Sequence, residues 1–190
     1  MRSWLKTLGF AMAVGVMLSA SISQAQGELT GTKTLSAKFA DGSAVVLGTI
    51  DFTPTEQGAA NFKLNLRTEQ LSDHFLSMRE FKCIEASQEL TCYVPYPYPH
   101  PATISPNDFV WLEHSLLFFF KAPRDFGAKL WNGLYFEFQQ SGTMLIGTPK
   151  AVDLNLIAAP PADPLQAPFE KELRHEIPAD SRWLRSLVLE

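Results

Sequence analysis

Asn61-Phe62-Lys63-Leu64-Asn65-Leu66-Arg67 alternates strictly between polar and apolar side chains. Successive side chains of an extended chain point to opposite faces, so Phe62, Leu64 and Leu66 share one face and the polar residues share the other. One face is buried and the other is wet. That is antiparallel behaviour, because strands covered on both faces by helices read as unbroken apolar runs. Upstream, residues 34–39 and 44–52 read as two more strands joined by Asp41-Gly42, a strong hairpin signal.

Downstream, Leu71, Phe75 and Met78 recur at helical spacing, which predicts a short helix or turn leading into the next hairpin. That hairpin, residues 81–94, contains both cysteines of the chain. Pairing its strands about a centre between Ser87 and Gln88 sets Cys83 opposite Cys92, on the same face as Phe81 and Val94. Ser-Gln does not readily take positive φ, so a loop of about four residues is expected in place of a tight turn. In an oxidising compartment the two thiols form a cross-strand disulfide. The alternatives, a metal pair or a redox pair, need closer spacing or more ligands.

Val94-Pro95-Tyr96-Pro97-Tyr98-Pro99-His100-Pro101 cannot join a sheet ladder, since proline donates no hydrogen bond and fixes φ near −65°. It reads as a stiff, aromatic, polyproline-like strip. Ser105-Pro106-Asn107-Asp108 then resembles a helix start, with a capping serine, proline at the first position and an acid three residues after the cap. The following run, Phe109 through Phe120, is apolar on nearly every side apart from a notch at Glu113, His114 and Ser115, which predicts a main helix near residues 106–121. Asn132-Gly133 and Ser141-Gly142 turn the chain into further strands over residues 134–138, 143–147 and 151–157.

The expected fold is therefore α+β and predominantly antiparallel β. About eight strands form a curved sheet or small barrel, with one aromatic-rich helix packed on it and a C-terminal helical tail. That tail follows a proline-rich strap. Within it Trp183, Leu184, Leu187 and Val188 form an apolar stripe that docks on its own domain or on a second protein. The division is 1–25, 26–158 for the β domain, and 159–190 for the strap and tail.

Residues 1–25 read as a secretory signal peptide. Arg2 and Lys6 precede an apolar run over residues 8–18, and small residues stand at the −3 and −1 positions of a cut after Ala25. About twenty apolar residues are needed to span a bilayer, and this run is shorter. No cysteine lies at the cut for acylation, and the address is periplasmic, in a bacterium, or secreted. The 190-residue chain carries 16 basic and 20 acidic side chains, a formal charge of −4. Removing the first 25 residues with their two cations leaves 165 residues at −6. There is no basic excess to neutralise phosphates, so nucleic acid is not the expected partner.

No cofactor is implied. His74, His100, His114 and His175 are scattered, with none at metal-ligand spacing from another, so no metal site is expected. There is no nucleophile elbow, and Asp125-Phe126-Gly127 lacks the loops that would give it meaning. What stands out is the concentration of thirteen aromatic residues between Tyr93 and Phe138. Most are core. The rest suggest a groove for an apolar ligand, a glycan or a peptide, with Tyr96, Tyr98, His100 and Trp111 as its residues. The expected function is that of an exported, non-enzymatic binding or protein-interaction module. One alternative is a small hydrolase in which Glu113 and His114 move a proton, with His74 or His100 nearby; against it, a polar pair inside a buried helix more often bonds to a strand edge. Another is a structural subunit of an envelope assembly.

Overall fold

In the computed structural model, which describes residues 29–190, the alternating segment forms the third strand of one continuous antiparallel sheet. In chain order the strands are β1 (Gly31–Phe39), β2 (Ala44–Pro54), β3 (Ala60–Leu66), β4 (Ser72–Leu76), β5 (Arg79–Glu85), β6 (Leu90–Val94) and β7 (Thr103–Ile104). They are followed by β8 (Leu117–Lys121), β9 (Gly133–Ser141), β10 (Met144–Val152), β11 (His175–Glu176) and β12 (Leu184–Leu189). All twelve belong to one open sheet of order β4-β5-β6-β8-β9-β10-β12-β1-β2-β3-β7, with β11 attached to β10. The segment 1–25 lies outside the described residues.

Three expectations are corrected. The count of about eight strands becomes twelve. The helix near 106–121 shrinks to α1 (Val110–His114), and Leu117–Lys121 is a strand in the middle of the sheet. Its physical reason is the covering of both faces: Phe118 packs with Leu35, Ile50 and Leu187 in one core, while Leu117 and Phe119 pack with Phe81, Tyr135 and Phe169 in a second. A strand buried on both sides shows no alternation, and an apolar run next to a genuine helical turn then reads as more helix. The proposed cap also fails, since Ser105 pairs with Asp108 in a tight bridge and Phe109 stands at the cap position.

The third correction concerns the tail. Residues 184–189 are not a helix but β12, wedged between β10 and β1. Lys38 pairs with Ser186 whereas Phe39 pairs with Leu184, so Arg185 is an extra residue in a bulge. That insertion turns the strand spacing of two into the three of Leu184 to Leu187 and so imitates a helical stripe. Leu184 and Leu187 are fully buried in the core, and Trp183 stacks on Phe39 at 4.0 Å. Of the stripe Trp183, Leu184, Leu187 and Val188, the two leucines are therefore spent inside the fold, while Trp183 and Val188 are half-buried. Likewise the helical spacing of Leu71, Phe75 and Met78 dissolves into a 3-10 turn, Thr68–Gln70, followed by β4. Residues 154–157, expected to extend the last strand, form another 3-10 turn.

A bulge also bends the other end of the sheet. Leu35 pairs with Gly48 and Ser36 with Val46, which leaves Leu47 unpaired. A Cβ at position 48 would lie 2.1 Å from the Asn65 carbonyl oxygen, so only glycine lets β2 approach β3 this closely.

Cys83 and Cys92 are directly opposed and disulfide-bonded, with Cα atoms 3.9 Å apart. The intervening loop closes with the Ala86 N–H donating to the Glu89 carbonyl at 2.9 Å. On the chain-entropy view, crosslinking a loop of roughly ten residues is worth about 2.5–3 kcal/mol. Cys83→Ser/Cys92→Ser is expected to lower unfolding stability by that amount in denaturant titration. A loss of less than about 1 kcal/mol would show that the hairpin holds without its crosslink.

Candidate functional site

Glu113 and His114 are both buried on α1, and what they touch is main chain. β8 pairs with β9 only through Phe118 with Leu134 and Phe119 with Gly133, so farther along β9 one edge has no strand to bond. Glu113 fills that role. Its Oε1 accepts the Phe138 N–H at 2.7 Å, its Oε2 accepts the Tyr135 hydroxyl, and the Arg174 guanidinium stands 3.8 Å away. Burial pushes the Glu113 carboxyl above the usual carboxylate range, opposed by Tyr135, Phe138 and Arg174. Burial likewise raises the Tyr135 phenol, helped by the adjacent carboxylate.

His114 uses both ring nitrogens. The Val110 carbonyl, 2.7 Å from Nδ1, can only accept, so Nδ1 carries the proton; Nε2 accepts the Phe169 N–H at 3.2 Å. Burial lowers its pKa to about 4, so the ring is neutral at pH 7. Phe169 stacks on the imidazole at 5.4 Å, and Arg174 Nε donates to the Phe169 carbonyl at 2.9 Å. The pair bolts the strap around residues 169–174 to α1 and β9, with no ring nitrogen left for a substrate. A groove of about 660 Å³ passes Glu113, Glu137 and Arg174, but both Arg174 contacts there are ion pairs within the protein. His74 is remote, on the edge strand, paired with Glu85 at 2.6 Å.

The proline strip brings together most of the aromatic residues named from sequence. Tyr96 packs its ring within 5.6–6.3 Å of Tyr98, His100, Trp111 and His114, and His100 stacks on Trp111 at 5.4 Å. The strip lies flat. Trp111 is buried, Tyr98 donates its hydroxyl to the Ile157 carbonyl at 3.1 Å, and the Tyr96 hydroxyl is buried without a hydrogen-bond partner. Only a shallow groove of about 250 Å³ opens beside it, between Phe62, Tyr93, Tyr96 and His100.

A third region shows the opposite behaviour. Phe75 is 76% exposed, Met78 91% and Phe126 94%, and the three line one groove of about 680 Å³ together with Leu76, Leu90 and Pro123. Phe75 and Met78 belong to the β4–β5 hairpin and Phe126 to the β8–β9 loop. Ser77 Oγ accepts the Ala128 N–H at 2.9 Å and ties the two tips together. The groove shares Ala86, Ser87, Lys121 and Asp125 with a neighbouring one of about 700 Å³, whose walls include Asp41, Glu89 and Arg182. Lys121 is buried at this junction, its ammonium donating to the Asp125 carbonyl at 2.5 Å.

Reasoning from sequence missed these residues because helical spacing assigned Phe75 and Met78 to a short helix or turn, and Phe126 sat in a tripeptide without context. The available signal was an aromatic residue between Pro123 and Gly127, a loop where nothing local can bury it. Among the described residues no group of three His, Cys, Asp or Glu side chains could hold a metal ion, and no helix is long and apolar enough to cross a membrane. Comparison with protein-family models, curated proteins and solved structures finds no match.

Proposed function

We propose that the chain is an exported, non-enzymatic binding protein that takes an acyl chain in the apolar groove between its β4–β5 turn and its β8–β9 loop. The observation that carries this reading is the grouping of Phe75, Met78 and Phe126, each more than three-quarters exposed, around one groove. Large apolar side chains scattered singly need no explanation, but a cluster held in place by a hydrogen bond between two loops does. The adjoining polar groove, with Arg182 and Glu89 paired at 3.0 Å, supports a ligand with one apolar and one polar end. Export is supported by the basic start and small-residue cut of residues 1–25 and by the disulfide.

The test is binding of a fluorescent acyl-chain probe below its aggregation concentration. Phe126→Ser is expected to weaken binding about tenfold or more, since covering a phenylalanine is worth about 1.5–3 kcal/mol. Equal binding by wild type and Phe126→Ser would sink the reading. Loss on His100→Ala, with Phe126→Ser unaffected, would move the site to the proline strip.

A further inference from the structure

The geometry points to a specific setting for these apolar tips: we propose that they dock the protein on an anionic lipid bilayer. The inference rests on the preceding reading that Phe75, Met78 and Phe126 form the contact surface, and it names what that surface meets.

The β4–β5 connection is a two-residue turn, since Leu76 pairs with Arg79. Ser77 and Met78 both have positive φ, 50° and 64°. That is the backbone of a turn that prefers Asn-Gly, because the Cβ of an L-residue crowds the carbonyl oxygen at positive φ, glycine has none, and asparagine offsets the cost by local hydrogen bonding. Met78 returns no packing for this strain, being 91% exposed. Phe126 immediately precedes Gly127, whose φ is 70°, and is 94% exposed. A small group of apolar side chains at two joined turn tips suits insertion between lipids better than docking on a protein, which requires a broad complementary face.

The charges agree. Arg79, Arg124 and Lys129 flank the tips; of the acids nearby, Glu80 faces Lys82 at 3.7 Å and Glu85 is paired with His74, which leaves Asp125 as the acid of the loop residues 122–131. None of these three cations is ion-paired among the described acids. Arg79 and Lys129 instead lie over the rings of Phe81 and Trp131, at 5.5 and 5.1 Å. An acidic chain thus sets three cations without ion-pair partners among the described residues beside its exposed apolar side chains. Basic residues meeting lipid phosphates, with an exposed tryptophan between them and the acyl region, are the physical requirements of an interfacial anchor.

Full mature chain is tested by co-sedimentation with phosphatidylcholine vesicles prepared with and without phosphatidylglycerol. Binding is expected with phosphatidylglycerol and weak without it, falling about tenfold in Arg124→Glu/Lys129→Glu and similarly in Met78→Ser/Phe126→Ser. Thermal midpoints are expected to stay at the wild-type value because all four side chains leave the core untouched. Leu165→Ser, which removes an exposed leucine from the strap, should bind as wild type. Trp131, 59% exposed, is expected to shift its emission to the blue on binding, whereas Trp111 is buried and Trp183 is half-buried and stacked on Phe39. Vesicle binding that ignores phosphatidylglycerol, or that survives both double substitutions, overturns the proposal. A wild type that binds the soluble acyl probe but no vesicle overturns the membrane setting alone, whereas failure with both removes the groove reading too.

Discussion

Glu113→Ala is expected to destabilise the protein by about 3–5 kcal/mol, the largest effect of any single change away from the apolar core. The substitution removes one carboxylate and leaves three groups without their partner: the Phe138 N–H on the open edge of β9, the buried Tyr135 hydroxyl, and the charge of Arg174. A buried donor left unsatisfied costs about 1–3 kcal/mol, and a buried charge more. Arg174 retains Glu137 at 3.3 Å and the Phe169 carbonyl, which limits the loss. Glu113→Gln keeps an oxygen for Phe138 but turns an amide toward Arg174, so about half the loss is expected. Urea titration measures both, and limited proteolysis should show residues 158–168 cut faster as the strap loosens. A Glu113→Ala loss below about 1 kcal/mol would mean that the strap and β9 are held by packing alone.

The second large effect is the pH dependence that His114 imposes. Its folded pKa is lowered to about 4 by burial, from an ordinary value of 6.5. Between those values the unfolded chain binds a proton that the folded chain refuses, so stability is complete above pH 6.5 and is lost as pH falls toward 4. At about 1.4 kcal/mol per pKa unit, the loss approaches about 3 kcal/mol. Arg174 and His100, the charged or titratable groups that disfavour a second positive charge here, act in the same direction. Glu113 runs the other way. Its folded pKa is raised above 4.5, so the folded state holds a proton that the unfolded chain releases, and stability falls as pH rises through that interval. Between pH 6.5 and 4.5 the two therefore contribute slopes of opposite sign. In His114→Asn the histidine contribution vanishes, so stability should fall less between pH 6.5 and 4.5 than it does in the wild type. Unchanged slopes in wild type and variant, measured by denaturation at several pH values, would show that His114 titrates normally in the folded state.

The paired strands were legible wherever one face of the chain meets water. Residues 61–67 and the Asp41-Gly42 hairpin announce themselves by alternation and turn chemistry, and the Cys83–Cys92 register follows from symmetry about a four-residue loop. Phe118 and Phe119 could not be placed the same way. Each faces a different core, so their neighbours in sequence carry no polar residue to mark a face. Of the candidate site, the rings of the proline strip were visible as a cluster, and the structure lays most of them against the interior. Phe75, Met78 and Phe126 were not, because exposure of an apolar residue depends on what other segments fail to cover.

What this sequence determined alone is therefore local or compositional: strand directions, turns, the disulfide partners and the lack of a net basic excess. Those properties depend on side-chain alternation and on φ preferences within a few residues. The tertiary structure decided the rest: that β8 is covered twice, that a bulge at Arg185 admits the last strand between β10 and β1, and that two apolar tips stay bare. Burial is a property of pairs of segments, and only the folded chain brings residue 189 beside residue 35.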